Sequence, residues 1–207
     1  SKSPEMYDNL AKIFLNRKEE DWIGLLASSE QWPELQAGFF ARLKTRAKEE
    51  EDPEEMLRMS RVLRLLQGTS DRVLQYAALL EEVQSKEEDL WEGMVTARRP
   101  EFTTEFFQFI RFKLEALVRA DAAAQGTSSS PKGGKTVTAQ ERAELKGTRT
   151  DAGVAEKDAD KKRDDLARLA SVLLTICEAF DEATKDQETL EEAAENLQEL
   201  LQVETLE

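Results

Sequence analysis

The sequence predicts an all-α protein, a helical bundle or short solenoid built from two related helical hairpins. Each ordered segment places its apolar residues at intervals of three and four, and none sustains the alternation of a strand. Leu, Ala, Glu, Lys and Arg dominate, with only 9 Gly and 5 Pro to interrupt 207 residues. The chain also repeats itself. Pro33-Glu34 precedes Phe39-Phe40 as Pro100-Glu101 precedes Phe106-Phe107, and on that offset of 67 Leu43 falls on Ile110 and Ala47 on Leu114. A second match, at an offset of 110, sets Val62-Leu63 on Val172-Leu173 and Leu66 on Ile176. The larger offset requires an insertion in the second copy. The reading is one helical domain, 1–207, with copy one at about 32–97, copy two at about 100–206 and a flexible insertion at about 120–160.

Each element has its own signal. Ser3-Pro4-Glu5 reads as a cap, a first-turn proline and an acid at the positive end of a helix dipole. Leu10, Ile13 and Phe14 give that helix its apolar face. A short second helix covers Glu19 to Ala27 with Trp22, Ile23, Leu25 and Leu26, and Trp32-Pro33-Glu34 starts the third. Asp52-Pro53-Glu54-Glu55 starts the fourth, which carries Met56, Met59, Val62, Leu63 and Leu66. Gly68-Thr69-Ser70-Asp71 predicts a break or kink before Val73, Leu74, Ala77, Leu80 and Val83. Leu90, Trp91 and Met94 mark a further segment, and Thr103 or Thr104 caps the helix with Phe106, Phe109, Ile110, Leu114 and Leu117. Large apolar residues nearly vanish from Ala120 to Asp160, where burial cannot offset the entropy of ordering. Within that stretch Gly133-Gly134-Lys135-Thr136 lacks the first glycine and the preceding strand of a phosphate loop. Leu166, Leu169, Val172, Leu173, Ile176 and Phe180 restore the stripe. A last helix, Thr189 to Leu206, carries Leu190, Ala193, Leu197, Leu200 and Leu201.

Composition excludes several chemistries. The chain has no histidine, so it holds no Ser-His or Cys-His nucleophile pair and lacks the commonest general base and metal ligand. The single cysteine, Cys177, lies in an apolar run and reads as a buried, inert thiol. The acids occur as runs, such as Glu49-Glu50-Glu51-Asp52 and Glu87-Glu88-Asp89, which fit solvated helix faces and helix starts. No apolar run approaches the roughly 20 residues that span a bilayer. A formal charge of −14 disfavours wrapping by nucleic acid, although a local basic patch is compatible with it.

Several landmarks recur in order: Asp21-Trp22 with Leu25-Leu26, Glu30-Gln31-Trp32, Phe39-Phe40-Ala41-Arg42, Arg46-Ala47, Asp52-Pro53, and Glu101-Phe102-Thr103-Thr104-Glu105-Phe106-Phe107. They resemble a family of uncharacterised, nuclear-encoded chloroplast proteins of plants and algae, some labelled endoribonuclease E-like. The resemblance implies a protein of the plastid stroma whose transit peptide precedes Ser1. It supplies no mechanism. The insertion departs from the short acidic turn of the plant members.

The functional expectation is a non-catalytic helical scaffold or adaptor with no cofactor, binding a protein partner or a second copy of itself. Consecutive phenylalanines on a helix point about 100° apart, so Phe102 to Phe112 supply more rings than one core stripe requires. Phe107 and Phe112 are the candidate partner-binding residues, and at least one is expected at the surface. The alternative is RNA association through a basic patch of Arg42, Arg46, Arg98 and Arg99, balanced against the reading of these residues as ordinary surface charge.

Overall fold

Prolines set three of the helix starts. Pro4, Pro33 and Pro53 each stand in a first turn, where their missing N–H costs no hydrogen bond. The computed structural model describes residues 2–126 and 139–204, with side chains described for 2–124 and 156–203. Among the described residues there are seven α-helices and no strand: α1 (Pro4–Leu15), α2 (Glu19–Ser28), α3 (Trp32–Glu49), α4 (Pro53–Gln84), α5 (Trp91–Arg98), α6 (Thr104–Gly126) and α7 (Ala139–Glu204). Short 3₁₀ turns at Glu88–Leu90 and Arg99–Glu101 flank α5. The Asp52 carboxylate accepts from the Glu54 N–H at 3.1 Å and caps α4. Thr103 Oγ1 accepts from the Phe106 N–H and caps α6.

The break expected at Gly68–Asp71 is absent, and α4 runs through it. Thr69 Oγ1 donates to the Leu65 carbonyl, and the fully buried Ser70 Oγ accepts from Trp32 Nε1–H at 2.9 Å. Their polar atoms are satisfied inside the fold, so the helix continues. Likewise α7 is one helix where the sequence suggested two segments. Helix runs into the expected insertion at 120–160 from both sides, to Gly126 and from Ala139; residues 127–138, with Gly133-Gly134-Lys135-Thr136, lie outside the described residues.

The helices pack in a path: α1 on α3, α3 on α4, α4 on α2, α2 on α6, α6 on α7 and α7 on α5. The unit α2–α3–α4 thus has the same internal contacts as α5–α6–α7, and α2 joins the two. The repeat begins one helix earlier than the Trp-Pro/Arg-Pro match indicates. Trp22 Nε1–H donates to the Phe14 carbonyl, and Trp91 Nε1–H donates to the Val83 carbonyl, both at 3.0 Å and both eight residues back. The surrounding turn agrees bond for bond at an offset of 69. Asn16 and Ser85 donate to Lys12 and Glu81; Arg17 and Lys86 donate to Phe14 and Val83; Asp21 and Leu90 donate to Lys18 and Glu87.

Burial also resets the pairing of α4 with α7. Leu66 and Leu173 are both fully buried, Met59 matches Leu166, and Ser70 matches Cys177. That offset is 107, one helical turn from the 110 of the apolar sequence match. Residue identity misled there because a leucine-rich stripe resembles itself after one turn.

If the indole bonds set the turn between units, removing either donor should cost similar amounts. Trp22→Phe and Trp91→Phe should each lower the unfolding free energy by about 1–3 kcal/mol in urea titrations. A cost confined to one of the two would mean that the turns are not equivalent.

Candidate functional site

The four candidate arginines are already partnered. Arg42 donates from Nε and Nη2 to both carboxylate oxygens of Asp8 at 3.0 Å, and Arg46 lies 3.6 Å from the same group. Arg98 bridges Glu101 and Glu82, the latter at 2.7 Å. Arg99 grips Asp181 at 2.7 and 2.8 Å and donates to the Phe102 carbonyl. Each pair ties one helix or turn to another. The two pairs of arginines serve different ends of the fold, α1 against α3 and the α5–α6 turn against α4 and α7. The four candidate arginines thus stand in two separate groups, each held in ion pairs.

The candidate phenylalanines, Phe107 and Phe112, are both half-buried, packed against the core without being enclosed by it. Phe102, Phe106 and Phe109 are core residues. Phe112 lies over Gly24 of α2, where an added Cβ would stand 3.1 Å from the ring. Glycine is needed there for the close approach of α6 to α2. The Arg111 guanidinium also lies over that ring, 5.3 Å from its centroid. Phe112 is thus part of the joint between the units. Gly93, the equivalent of Gly24, faces open space, because no helix packs on α5 as α6 packs on α2.

Phe107 has a different setting. It lines a small open cleft of about 160 Å³ with Arg99, Phe102, Leu174 and Cys177. The repeat explains the cleft. At the matching place in copy one, Trp32 is fully buried, bonds Ser70 and stacks edge-on against Phe39 and Phe40. Arg99 replaces Trp32, and Cys177 replaces Ser70. A guanidinium cannot fill an apolar slot, so Arg99 turns outward to Asp181 and leaves the slot open. Burial pushes the Cys177 thiol up, with Arg99 opposing in part, so the thiol is not a poised nucleophile. Comparing Trp32 with Arg99 in the aligned repeat could have found this site from sequence.

A larger cleft of about 870 Å³ opens where α2, α4, α6 and α7 meet. Its floor includes Ala27, Leu80 and Leu117, and Lys113 stands at its wall. Burial pushes the Lys113 ammonium down, and the group lies 5.2 Å over the Phe109 ring. Among the described residues no group of three or more His, Cys, Asp or Glu is arranged to hold a metal ion, and no helix is long and apolar enough to cross a membrane.

Residues 1–184 match a family described as a domain of unknown function, DUF8246. The chain belongs to this family. It is also 22% identical over 196 residues to an uncharacterised protein of Arabidopsis thaliana, At4g37920. That match covers 94% of the chain and 36% of the Arabidopsis protein, so the chain spans about a third of its relative's length. No solved structure matches the chain. The family match takes in both three-helix units up to the point where α7 leaves the body.

The ion pairs give the fold an acid limit. Hydrogen bonds from Arg42, Arg98 and Arg99 hold Asp8, Glu101 and Asp181 below the usual carboxylate range. A depressed folded pKa contributes stability that is complete above the unfolded value and lost as pH falls through the folded one. The urea midpoint should therefore be flat from about pH 8 to 5 and fall below about pH 4. Arg99→Ala should flatten that fall by removing the Asp181 share. An acid slope unchanged in the variant would show that the Arg99–Asp181 pair is not coupled to folding.

Proposed function

We propose that this protein is a non-catalytic helical adaptor of the plastid stroma that anchors a protein partner through one aromatic side chain. The cleft at Phe107, Arg99, Leu174 and Cys177 carries the reading. It is the place where the second unit lacks the indole that seals the first, and its volume suits a single aromatic ring. Interfaces commonly concentrate their energy in one such anchor, with Trp and Tyr enriched among them. Arg99 on the rim offers a cation beside the ring and a site for a partner carboxylate once it leaves Asp181. The resemblance to chloroplast proteins supports the plastid assignment, and similarity to a plant protein is compatible with it. The ion pairs of Arg42, Arg46, Arg98 and Arg99 weigh against RNA association, because binding phosphates there would break contacts that hold helices together. We advance no nuclease activity, since the acids stand in helix starts and solvated faces.

The repeat supplies the test. Arg99→Trp should fill the slot as Trp32 does in copy one and leave the melting temperature unchanged or raised. Titration with 3-methylindole, the isolated tryptophan side chain, should shift the NMR signals of Phe107 and Leu174 in the parent protein and not in the variant. Capture of a partner from stromal extract should be lost with Arg99→Trp and kept with Arg42→Ala. Silence of Phe107 and Leu174 in the parent titration, or undiminished capture by Arg99→Trp, would show that the cleft is not the anchor site.

A further inference from the structure

Among the described residues, the body does not cover the outer end of α7. Every residue from Lys185 to Val203 is exposed, so about 30 Å of helix projects beyond α5 and α6. A lone helix in water gains little from propensity and is ordinarily held by packing of an apolar face. This one has such a face. Leu190, Leu197 and Leu200 are each more than 60% exposed. With Ala193 they take the a and d positions of two heptads: Leu190 and Leu197 at a, Ala193 and Leu200 at d.

We propose that the face is covered by the same helix of a second copy, running antiparallel, to form a two-fold dimer. Large and small residues decide the direction. In the antiparallel register that sets Leu190 opposite the second copy's Leu200, Ala193 falls opposite Leu197, and both matches repeat across the dyad. Each bulky side chain meets either a leucine or the space left by an alanine. A parallel pair would set Ala193 against Ala193 and leave a void, which costs packing.

The flanks agree. In the antiparallel register the e positions pair Ala194 with Ala194 and Gln187 with Leu201, while the g positions pair Asn196 with Asn196 and Thr189 with Val203. Within these two heptads no charge borders the seam; beyond them Asp186 at d falls opposite the second copy's Glu204 at a, one acidic pair at each end of the overlap. Glu188, Glu191, Glu192, Glu195 and Glu199 occupy b, c and f, on the far side of the helix. Across a paired dimer those acidic faces lie about 20 Å apart, beyond the Debye length of about 8 Å at physiological salt. The chain's net charge of −14 therefore does not prevent the pairing.

The length fits as well. The register is centred near Glu195, about midway between Lys185, where the helix leaves its body, and Glu204. Each helix tip then reaches the level at which the other helix leaves its own body. The two bodies stand at opposite ends, so the charged units are kept apart. The slot at Phe107 plays no part in this contact, and the inference stands independently of the proposed adaptor role.

Sedimentation equilibrium of the full chain should show a monomer–dimer equilibrium over micromolar concentrations. Leu197→Glu should weaken it roughly tenfold or more, since the carboxylate would be buried in the seam. Its melting temperature should match the parent, because the residue touches no part of the body. A chain that stays monomeric to about 100 μM, or a dimer unaffected by Leu197→Glu, overturns the proposal; both limits rest on the affinity scale for a short apolar seam. Cysteine trapping fixes direction against a parent whose only thiol, Cys177, is buried. Asn196→Cys should crosslink to itself on oxidation and Leu190→Cys should not. The reverse pattern would mean a parallel pair and would also overturn it.

Discussion

A helix that ends inside a fold leaves carbonyls without partners, and this protein answers that need with the same indole twice. Phe14 and Val83 stand in the last turns of α1 and α4, and their carbonyls accept from Trp22 and Trp91. Each indole lies on the next helix, so its bond joins the backbone bonds from Arg17 and Lys86 at the helix end and ties that end to the helix that follows. The ring then buries against the core beside the bond it makes. Two equal departures produce two equal three-helix units. The order of packing, the joint at α2 and the placement of α7 follow from that repetition.

Function is read from the places where the copies differ. Ile23 is buried on α2 while its counterpart Glu92 is exposed on α5, because α2 is covered by the second unit and α5 has no unit beyond it. Glutamate there makes α5 a polar end cap, as a short solenoid requires. Gly24 admits the Phe112 ring, whereas Gly93 admits nothing. Trp32 seals the first unit from the side, and Arg99 leaves the same place open in the second. These are single-residue changes on a shared frame, and each converts packing surface into either solvent surface or an opening.

The frame was legible in the sequence because its signals are local. Proline and acid at Pro4, Pro33 and Pro53 mark helix starts whatever lies around them. Phe39-Phe40 and Phe106-Phe107 revealed the repeat because aromatic pairs are rare and stand out against a leucine-rich background. Other features depended on partners that sequence does not display. Thr69 and Ser70 read as a break, yet Ser70 is the hydrogen-bond acceptor of Trp32, 38 residues away. The partners of the basic residues were hidden for the same reason: Arg42 and Arg99 meet Asp8 and Asp181, which the chain brings close only on folding. Phe107 and Phe112 are equally aromatic and similarly buried, but one lines a cleft and the other closes a joint. The match of Trp22 to Trp91 was present in the sequence at an offset of 69; a neighbouring match at 67 drew attention away from it.

The central claim is that equivalent indole bonds impose equivalent turns. All three tryptophans donate inside the fold, Trp22 to Phe14, Trp32 to Ser70 and Trp91 to Val83. Hydrogen exchange of the three indole N–H signals, followed by NMR in deuterated buffer, reports on those bonds directly. The Trp22 and Trp91 signals should be strongly protected and exchange at similar rates, limited by unfolding of the body. Rapid exchange of either one, at the rate of a free indole, would contradict this equivalence.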